Sequence, residues 1–248
     1  MAMSNHFLDG LGDADLRLLQ PHLQKVSLRR DEMVGEADEP VATAYLPIDS
    51  ILSVIQVMRD GRSIETRTIG REAGYGLLHA VGSRLAIERV IVQVAGEAYA
   101  LPVPVLAAAA GQSQTLTKAI VSHAQATLAQ TAQGIACNTL HAAEPRLCKW
   151  LLLTQDRLES DVLPLTQEHL SIMLGVQRTT VTALASELQR RQAISYSRGR
   201  IRVLDRPALI SCACECYEIT ERRTAELVEA SERKPATNGV QPNVAGLP

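Results

Sequence analysis

The stretch LTQEHLSIMLGVQRTTVTALASELQRR, residues 165–191, constrains the fold of this chain more than any other segment. Its apolar residues recur at helical spacing, but Gly175 stands near the middle and is followed by Thr179, Thr180 and Thr182. A glycine inside a helix costs about 1 kcal/mol relative to alanine, and β-branched residues are also unfavourable there. The pattern therefore predicts two helices with a break at Gly175 rather than one continuous helix.

A helix-turn-helix, spanning residues 166–190, explains the break. Thr166 can cap the first helix, and Gly175 can adopt the left-handed backbone conformation that ends it. Ser171 is small enough to let a second helix cross closely. Apolar anchors follow the glycine at the spacing expected for two packed helices, namely Val176, Val181, Leu184 and Leu188. Helix pairs in unrelated bundles can produce a similar pattern.

Polar residues on the outward side of this motif predict contacts with duplex DNA. Donors and acceptors at the front of a second helix suit base edges in the major groove. The next segment, AISYSRGRIRVL, predicts a β-hairpin turning at Arg198 and Gly199, a wing whose arginines, Arg202 included, would contact phosphates. Residues 165–206 hold seven basic and three acidic residues, although the whole chain has a formal net charge of −2. Arginines on a solvated face would give the same count. The predicted DNA-binding residues are Thr166, Gln177, Arg178, Thr179, Thr180, Thr182, Ser186, Arg198 and Arg200.

The rest of the chain predicts a β domain followed by a long helix. Between residues 26 and 101, short apolar runs alternate with turn signals: a strong hairpin signal at Asp60-Gly61 and a weaker one at residues 95–97. This spacing predicts a barrel or jelly-roll-like domain. Residues 113–141 contain no proline and predict a helix. One stripe on it suits packing against an identical partner, or against the β domain as an ordinary surface helix: Leu116, Ile120, His123, Thr127, Gln130, Gly134 and Cys137.

Composition excludes several classes of protein. Aromatic residues make up only 3% of the chain, which argues against a stacking platform for single-stranded nucleic acid. Residues 1–10 lack a basic segment followed by an apolar run, and no apolar stretch approaches the roughly 20 residues needed to cross a bilayer. We expect a soluble, cytoplasmic protein that does not bind membranes. No catalytic motif is apparent, so we do not expect an enzyme.

Five cysteines, an odd number, occur without an export signal, which indicates reduced thiols rather than a disulfide framework. Cys212, Cys214 and Cys216 fall in a helix that we expect to run from Pro207 to about Glu232. On a single helix, Cys212 and Cys216 share a face and Cys214 points elsewhere, so three such thiols cannot surround zinc without an outside ligand. We therefore predict no metal site, and a redox-sensing role stays open.

Residues 144–217 resemble the C-terminal half of the Crp/Fnr transcription regulators, and the order of elements matches that family from about Phe7 to about Val228. The resemblance implies an α+β architecture: an N-terminal jelly-roll-like β-roll sensor (1–112), a dimerisation helix (113–141) and a winged helix-turn-helix domain (142–232). The composition of residues 233–248 separately predicts a disordered tail. It also implies a homodimer on a palindromic DNA operator, and RNA polymerase as a further partner. Activation and repression both stay open.

The expected effector pocket departs from the family pattern where the family places its ligand. In the members that bind cyclic nucleotides, a Gly-Glu pair holds the ribose, and an arginine followed by serine or threonine binds the phosphate. Here Leu77 follows Gly76 and Val90 follows Arg89, with Arg84 as a competing cation. We therefore predict no tight cyclic AMP binding and no cofactor. The residues expected to line an effector pocket are Gly74, Gly76, Leu77, Arg84, Arg89, Val90 and Thr131.

The signal itself stays open. A small molecule in a remodelled roll, a cyclic nucleotide, a redox signal or no ligand at all are the alternatives. No cysteine precedes Cys137, which argues against an N-terminal iron–sulfur cluster of the kind some family members carry. A scaffold that binds an effector but has lost DNA binding is a further alternative, and the intact anchors and basic wing argue against it.

Overall fold

The computed structural model describes residues 4–220 and 222. Two short helices, α1 (His6–Asp9) and α2 (Asp13–Leu19), precede a β domain. Its strands are β1 (Gln24–Leu28), β2 (Met33–Gly35), β3 (Thr43–Pro47), β4 (Ile51–Val57), β5 (Ser63–Ile69), β6 (Arg89–Val94) and β7 (Gly96–Pro102). All pairings within it are antiparallel, in a four-stranded sheet of order β2-β6-β4-β5 and a three-stranded sheet of order β1-β7-β3.

Both sheets contribute to one apolar core. Leu46 and Leu101 from the three-stranded sheet and Val54 and Val92 from the four-stranded sheet are buried in the same cluster. The predicted turn at Gly61, which has a φ of +84°, joins β4 to β5 as a hairpin. Gly96 does not form a hairpin, because β6 and β7 belong to different sheets and the chain crosses between them there.

Two helices follow the β domain: α3 (Val103–Gln112) and the long α4 (Gln114–Leu140). Ser113 separates them in an extended conformation and caps α4, its side chain accepting a hydrogen bond from the Leu116 backbone N–H. Of the two alternatives for the stripe on this helix, the structure supports packing against the β domain rather than against a partner subunit. Leu116 and Ile120 are fully buried in the β-domain core, and the His123 ring lies 3.2 Å from the Gly74 carbonyl oxygen.

The opposite face of α4 carries the exposed apolar residues. Val121, Leu128 and Ile135 are 45%, 69% and 66% exposed, and they recur every seven residues. The two faces could not be separated from the sequence, because apolar and small residues occur on both at helical spacing.

The C-terminal domain has its own apolar core, to which Leu151, Leu170 and Val181 belong. Its elements are α5 (Ala143–Leu158), β8 (Val162–Leu163), α6 (Gln167–Leu174), α7 (Arg178–Arg190), β9 (Ile194–Ser197), β10 (Arg200–Val203) and α8 (Arg206–Cys212). The three strands form an antiparallel sheet of order β8-β10-β9.

The last predicted helix was wrong in its extent. Helix α8 ends at Cys212, because Ala213 adopts an extended conformation with ψ of 149° and the Cys214 backbone N–H donates to the Pro145 carbonyl oxygen at 3.4 Å. Helical backbone resumes at Cys216. The remainder of that predicted helix after residue 222, and the predicted disordered tail at 233–248, lie outside the described residues.

Polar contacts join the C-terminal domain to the β domain. The Arg157 Nε atom lies 2.9 Å from a Glu72 carboxylate oxygen, and Arg30 donates to the Pro164 carbonyl oxygen at 2.9 Å. None of the helices in the described part of the chain is both long and apolar enough to cross a membrane.

Candidate DNA-binding surface and effector cavity

The break between α6 and α7 follows from backbone geometry. Gly175 adopts φ of +63° and ψ of 35°, and its N–H donates to the Ser171 carbonyl oxygen as it ends α6. At the other end, the Thr166 hydroxyl accepts a hydrogen bond from the His169 backbone N–H at 3.2 Å. Both features confirm the predicted helix bounds. Thr166 is only half-buried and serves here as the cap of α6.

Helix α7 presents one face to the core and the other to solvent. Val181, Ala185 and Leu188 are buried. Six of the predicted DNA-binding residues are exposed at its front or along its outer side, namely Gln177, Arg178, Thr179, Thr180, Thr182 and Ser186. The structure thus brings them together on one solvent-facing surface beside the turn.

The wing is a two-residue hairpin between β9 and β10. Arg198 and Gly199 both have positive φ, +49° and +71°, as a type I′ turn requires. Arg198, Arg200 and Arg202 are exposed, while Ile201 between them is fully buried. A Cβ atom at Gly199 would lie 3.4 Å from the Thr166 methyl group, so the wing tip lies against the start of α6.

The arginines of this domain divide into two groups. Arg190 and Arg191 form ion pairs with Glu187 at 2.6 and 2.7 Å, and Arg206 pairs with Asp156 at 2.8 Å, so these charges are neutralised locally. In the described part of the chain, no carboxylate lies within ion-pair distance of the wing arginines. Arg178 pairs with Glu168 at 2.7 Å across an exposed surface, where such pairs are weak and exchange readily. The positive surface is therefore narrower than the sequence count indicated.

A cavity of about 530 Å³ lies between the β domain and α4. Four predicted pocket residues line it: Gly74, Gly76, Leu77 and Thr131. The other three do not. Val90 is fully buried in the β-domain core, Arg89 forms an ion pair with Glu36 at 2.8 Å, and Arg84 is exposed on a loop.

Sequence reasoning missed the charged and polar groups that do line this cavity. Arg67 on β5 pairs with Glu88 at 3.2 Å. Burial lowers the pKa of the Arg67 guanidinium. Burial also lowers the pKa of His123 to about 4, so its ring is neutral at physiological pH. Arg67 belongs to a strand whose alternating pattern gives no sign of a ligand site, so only the fold identifies it.

Four potential metal ligands meet at the C-terminal end of α4. The Sγ atoms of Cys137, Cys214 and Cys216 and a ring nitrogen of His141 all lie within 4.8 Å of one another. The expected geometry on one helix was wrong, because the break at Ala213 turns Cys214 and Cys216 toward α4. The Cys214 thiol donates a hydrogen bond that lowers the pKa of Cys137 to about 4, an effect that the nearby Lys149 ammonium reinforces.

Comparison with known proteins agrees with this architecture. Residues 145–212 match the family described as the Crp-like helix-turn-helix domain. No curated protein sequence matches the chain significantly. FixK2 from Bradyrhizobium japonicum has a similar structure, with a TM-score of 0.67, 18% identity and coverage of 77% of this chain and 98% of FixK2.

Two further solved structures are similar. TTHA1359, a transcriptional regulator of the CRP/FNR family from Thermus thermophilus, gives a TM-score of 0.62 at 21% identity, covering 77% of this chain and 98% of its own. CLP, a c-di-GMP responsive global regulator from Xanthomonas campestris, gives a TM-score of 0.63 at 14% identity. The match covers 77% of this chain and 99% of CLP. At these identities the likeness concerns the fold. Residues 145–212 are thus a Crp-like helix-turn-helix domain, and 77% of the chain shares the fold of these solved structures, one of which is a regulator of the CRP/FNR family.

Proposed function

We propose that the protein is a cytoplasmic, homodimeric transcription regulator that binds a palindromic operator and responds to a ligand in the cavity beside α4. The observation that carries this proposal is the exposed surface formed by the front of α7 together with the wing. Arg178 can contact a guanine through two hydrogen bonds, and the wing arginines can contact the flanking phosphates. RNA polymerase is the further partner of a regulator of this kind. The proposal assigns no catalytic step to the chain.

Self-association is proposed from the outer face of α4. A seven-residue apolar repeat is typical of the seam between two paired helices, and Val121, Leu128 and Ile135 supply one. A two-fold pair of α7 helices about 34 Å apart would enter successive major grooves, which is why the operator is expected to be palindromic.

Gating is proposed from the double position of Leu128. This side chain belongs to the apolar repeat and also lines the cavity. The nearby Thr127 and Thr131 line the cavity as well. A second subunit packed on the repeat would cover the open side of the cavity. Occupancy of the cavity and the geometry of the dimer would then depend on each other. The lining is mostly apolar with one half-buried ion pair, which suits a largely apolar ligand that carries a polar group.

The DNA-binding part is tested by selecting bound fragments from genomic DNA and then measuring affinity by gel shift. We expect Arg178→Ala to weaken binding to the selected sequence by about 10- to 100-fold and to relax its specificity. Arg17→Ala, which replaces an exposed arginine on α2, is the matched control and should bind as the wild type does. If wild-type protein ignores duplex DNA at low ionic strength, or if Arg178→Ala binds the selected fragments unchanged, the proposal fails.

The dimer is tested by light scattering after size-exclusion chromatography. Leu128→Asp places a charge in the proposed seam and should convert dimers to monomers, because an unpaired buried carboxylate is costly. Met58→Asp is the matched control, since Met58 is 54% exposed in the turn between β4 and β5 and does not belong to the apolar repeat of α4. A wild-type monomer, or a Leu128→Asp dimer as tight as the wild type, would contradict the assignment.

A further inference from the structure

We propose that Cys137, His141, Cys214 and Cys216 bind one divalent metal ion, with zinc preferred, and that this ion fixes the DNA-binding domain to the end of α4. The site itself is independent of the DNA-binding assignment. Only the consequence for operator binding rests on the proposed function.

The spacing of the four ligand atoms fits a single tetrahedral ion. Zn–S bonds of about 2.3 Å place two thiolates of one tetrahedral site about 3.8 Å apart, and a Zn–N bond of about 2.0 Å places a thiolate and an imidazole nitrogen about 3.5 Å apart. The Cys137 and Cys214 Sγ atoms lie 3.6 Å apart, and the His141 Nδ1 atom lies 3.5 Å from the Cys216 Sγ atom. Neither distance needs to change much for an ion to bind.

The fold explains how these ligands come together. Cys137 and His141 are four residues apart, so they lie on the same side at the end of α4. Cys214 and Cys216 follow the break at Ala213, in the segment after α8, and lie beside the end of α4. All three cysteines are buried in a small cluster of their own, separate from both apolar cores.

The surrounding side chains orient the ligands. The His141 Nε2 atom lies 3.2 Å from a Glu215 carboxylate oxygen, which leaves Nδ1 free to face the ion. A carboxylate that holds the far nitrogen of a metal-binding histidine is a common feature of zinc sites. The Gln133 side-chain amide donates a hydrogen bond to the Cys216 Sγ atom at 3.0 Å, as suits a thiolate ligand.

Lys149 provides an independent indication of a negatively charged centre. It is only 4% exposed, and its ammonium lies 3.5 Å from the Cys137 Sγ atom and 4.4 Å from the centroid of the Trp150 ring. Within the described residues no carboxylate lies within ion-pair distance of it. A buried ammonium is costly without a negative partner. Three thiolates, one neutral imidazole and a divalent cation carry a net charge of −1, which this ammonium balances.

The chemistry of the ligands favours zinc over other groups. Mixed thiolate and imidazole ligands in tetrahedral geometry are typical of zinc sites, and four protein ligands with no open position are typical of structural ones. An iron–sulfur cluster separates its thiolates by iron and inorganic sulfide, so it would need ligand atoms spread more widely than these.

The position of the site indicates its effect. Helix α4 ends at Leu140, the backbone is extended at His141 and Ala142, and α5 begins at Ala143. Two ligands come from the end of α4 and the residue that caps it, and two come from the segment after α8. The ion would therefore bridge the hinge between the dimerisation helix and the DNA-binding domain, and its loss would free that hinge.

Metal binding is tested on the full chain purified under reducing conditions. We expect elemental analysis to find one zinc ion per chain, and cobalt substitution to give the absorption of a tetrahedral thiolate site. Cys137→Ser and Cys216→Ser should each lose the ion, whereas Cys212→Ser should retain it, because the Cys212 thiol donates to Glu144 and lies outside the cluster. Glu215→Gln should retain zinc with an affinity lowered by about 10-fold.

Several results would overturn the site. They are reduced wild-type protein that takes up no stoichiometric zinc or cobalt, equal metal content in Cys137→Ser and the wild type, iron with acid-labile sulfide in place of zinc, or a Cys137–Cys214 disulfide in protein isolated without oxidant. The cobalt spectrum is recorded on wild-type protein, so the test holds even if a serine variant fails to fold.

The bridging role is tested by amide hydrogen exchange at residues 140–143 with and without zinc. Zinc should slow exchange there by about 10-fold or more, because the hinge must open locally for exchange to occur. Unchanged exchange in zinc-loaded protein would overturn the bridge. Gel shifts together with metal analysis then separate the two proposals. Arg178→Ala should retain zinc and lose operator affinity. Cys216→Ser should lose zinc, and any loss of operator affinity in this variant should follow from the loss of zinc.

Discussion

The β domain and the DNA-binding domain place their charged side chains in opposite ways. In the β domain, Glu65 is 1% exposed under helix α6, and Arg67 lies largely buried beside the cavity. In the DNA-binding domain, Arg178 and the wing arginines lie at the surface, and Glu187 is half-buried at the surface between two arginines. In the β domain, these charged groups are buried and their pKa values are shifted. In the DNA-binding domain, the arginines are exposed, where they attract a polyanion.

This difference teaches how each domain can respond to its surroundings. A buried ionisable group is sensitive to anything that changes its solvation, such as a ligand or a neighbouring domain. An exposed arginine keeps its charge at any physiological pH and responds mainly to ionic strength. We therefore expect pH and ligands to act through the β domain, and salt to act through the DNA-binding domain.

The largest expected effect concerns Glu65. Burial raises its pKa to about 7. In the unfolded chain this carboxyl ionises as the pH rises through about 4.5, whereas in the folded protein it keeps its proton until about pH 7, so the free energy of unfolding falls across that range. Glu65→Gln should abolish this fall and stabilise the protein at pH 8 by up to about 3 kcal/mol, with little change near pH 4.

The glutamine should fit the site, because a single Glu65 oxygen accepts both hydrogen bonds, from Ser53 and from the Gln93 amide. Urea unfolding at several pH values measures the effect. Glu187→Gln is the matched control with the opposite sign: hydrogen bonds from Arg190 and Arg191 lower the pKa of Glu187 to about 2, so its charge stabilises the folded protein above pH 4.5. A Glu65→Gln variant no more stable than the wild type at pH 8 would remove the contrast between the domains.

The second prediction compares the effect on stability of the same substitution, glycine to alanine, at two positions. Gly175→Ala should destabilise the protein by about 1–2 kcal/mol, because alanine is unfavourable at the left-handed conformation that ends α6. Its Cβ would also lie 3.1 Å from the Ile64 side chain. Gly111→Ala, in α3 with no heavy atom within 4 Å of the added Cβ, should instead stabilise by about 0.5–1 kcal/mol. Chemical denaturation of both variants measures the difference, and equal signs would show that the break at Gly175 is not imposed by the backbone.

The smallest effect sharpens the role of the wing. Arg198 has φ of +49°, which asparagine tolerates better than arginine. Arg198→Asn should therefore stabilise the hairpin by up to about 1 kcal/mol. It should also reduce the slope of log affinity against log salt by about 1, because one phosphate contact is lost. Melting curves and gel shifts at several salt concentrations separate the two, and an unchanged salt slope would remove Arg198 from the DNA interface.

The same contrast explains which features the sequence could predict. The helix-turn-helix and wing were predicted correctly as structural elements because their determinants are local: Gly175 ends one helix, and the Arg198-Gly199 turn joins two adjacent strands. The cavity was predicted only in part. Its glycines fall within one short segment, but Arg67, Glu88 and His123 meet only because β5, the loop before β6 and α4 are brought together by the fold.

The thiol cluster shows where local reasoning stops. Nothing in the sequence SCACECYE requires the chain to leave a helix at Ala213, since no glycine or proline is present. The break forms because this segment packs against the start of α5 and the end of α4. A prediction from helical spacing could not include these contacts, and it therefore separated thiols that the fold brings together.

Helix α4 is unbroken over 27 residues, from Gln114 to Leu140. An inserted residue would turn everything beyond it by about 100° and advance it by about 1.5 Å. An insertion before His123 would thus rotate the cavity wall, the apolar repeat and Cys137 out of place at once. Seven inserted residues would restore the original facing to within about 20° but advance everything beyond them by about 10 Å, so the length of this helix cannot change without displacing the cavity wall and Cys137.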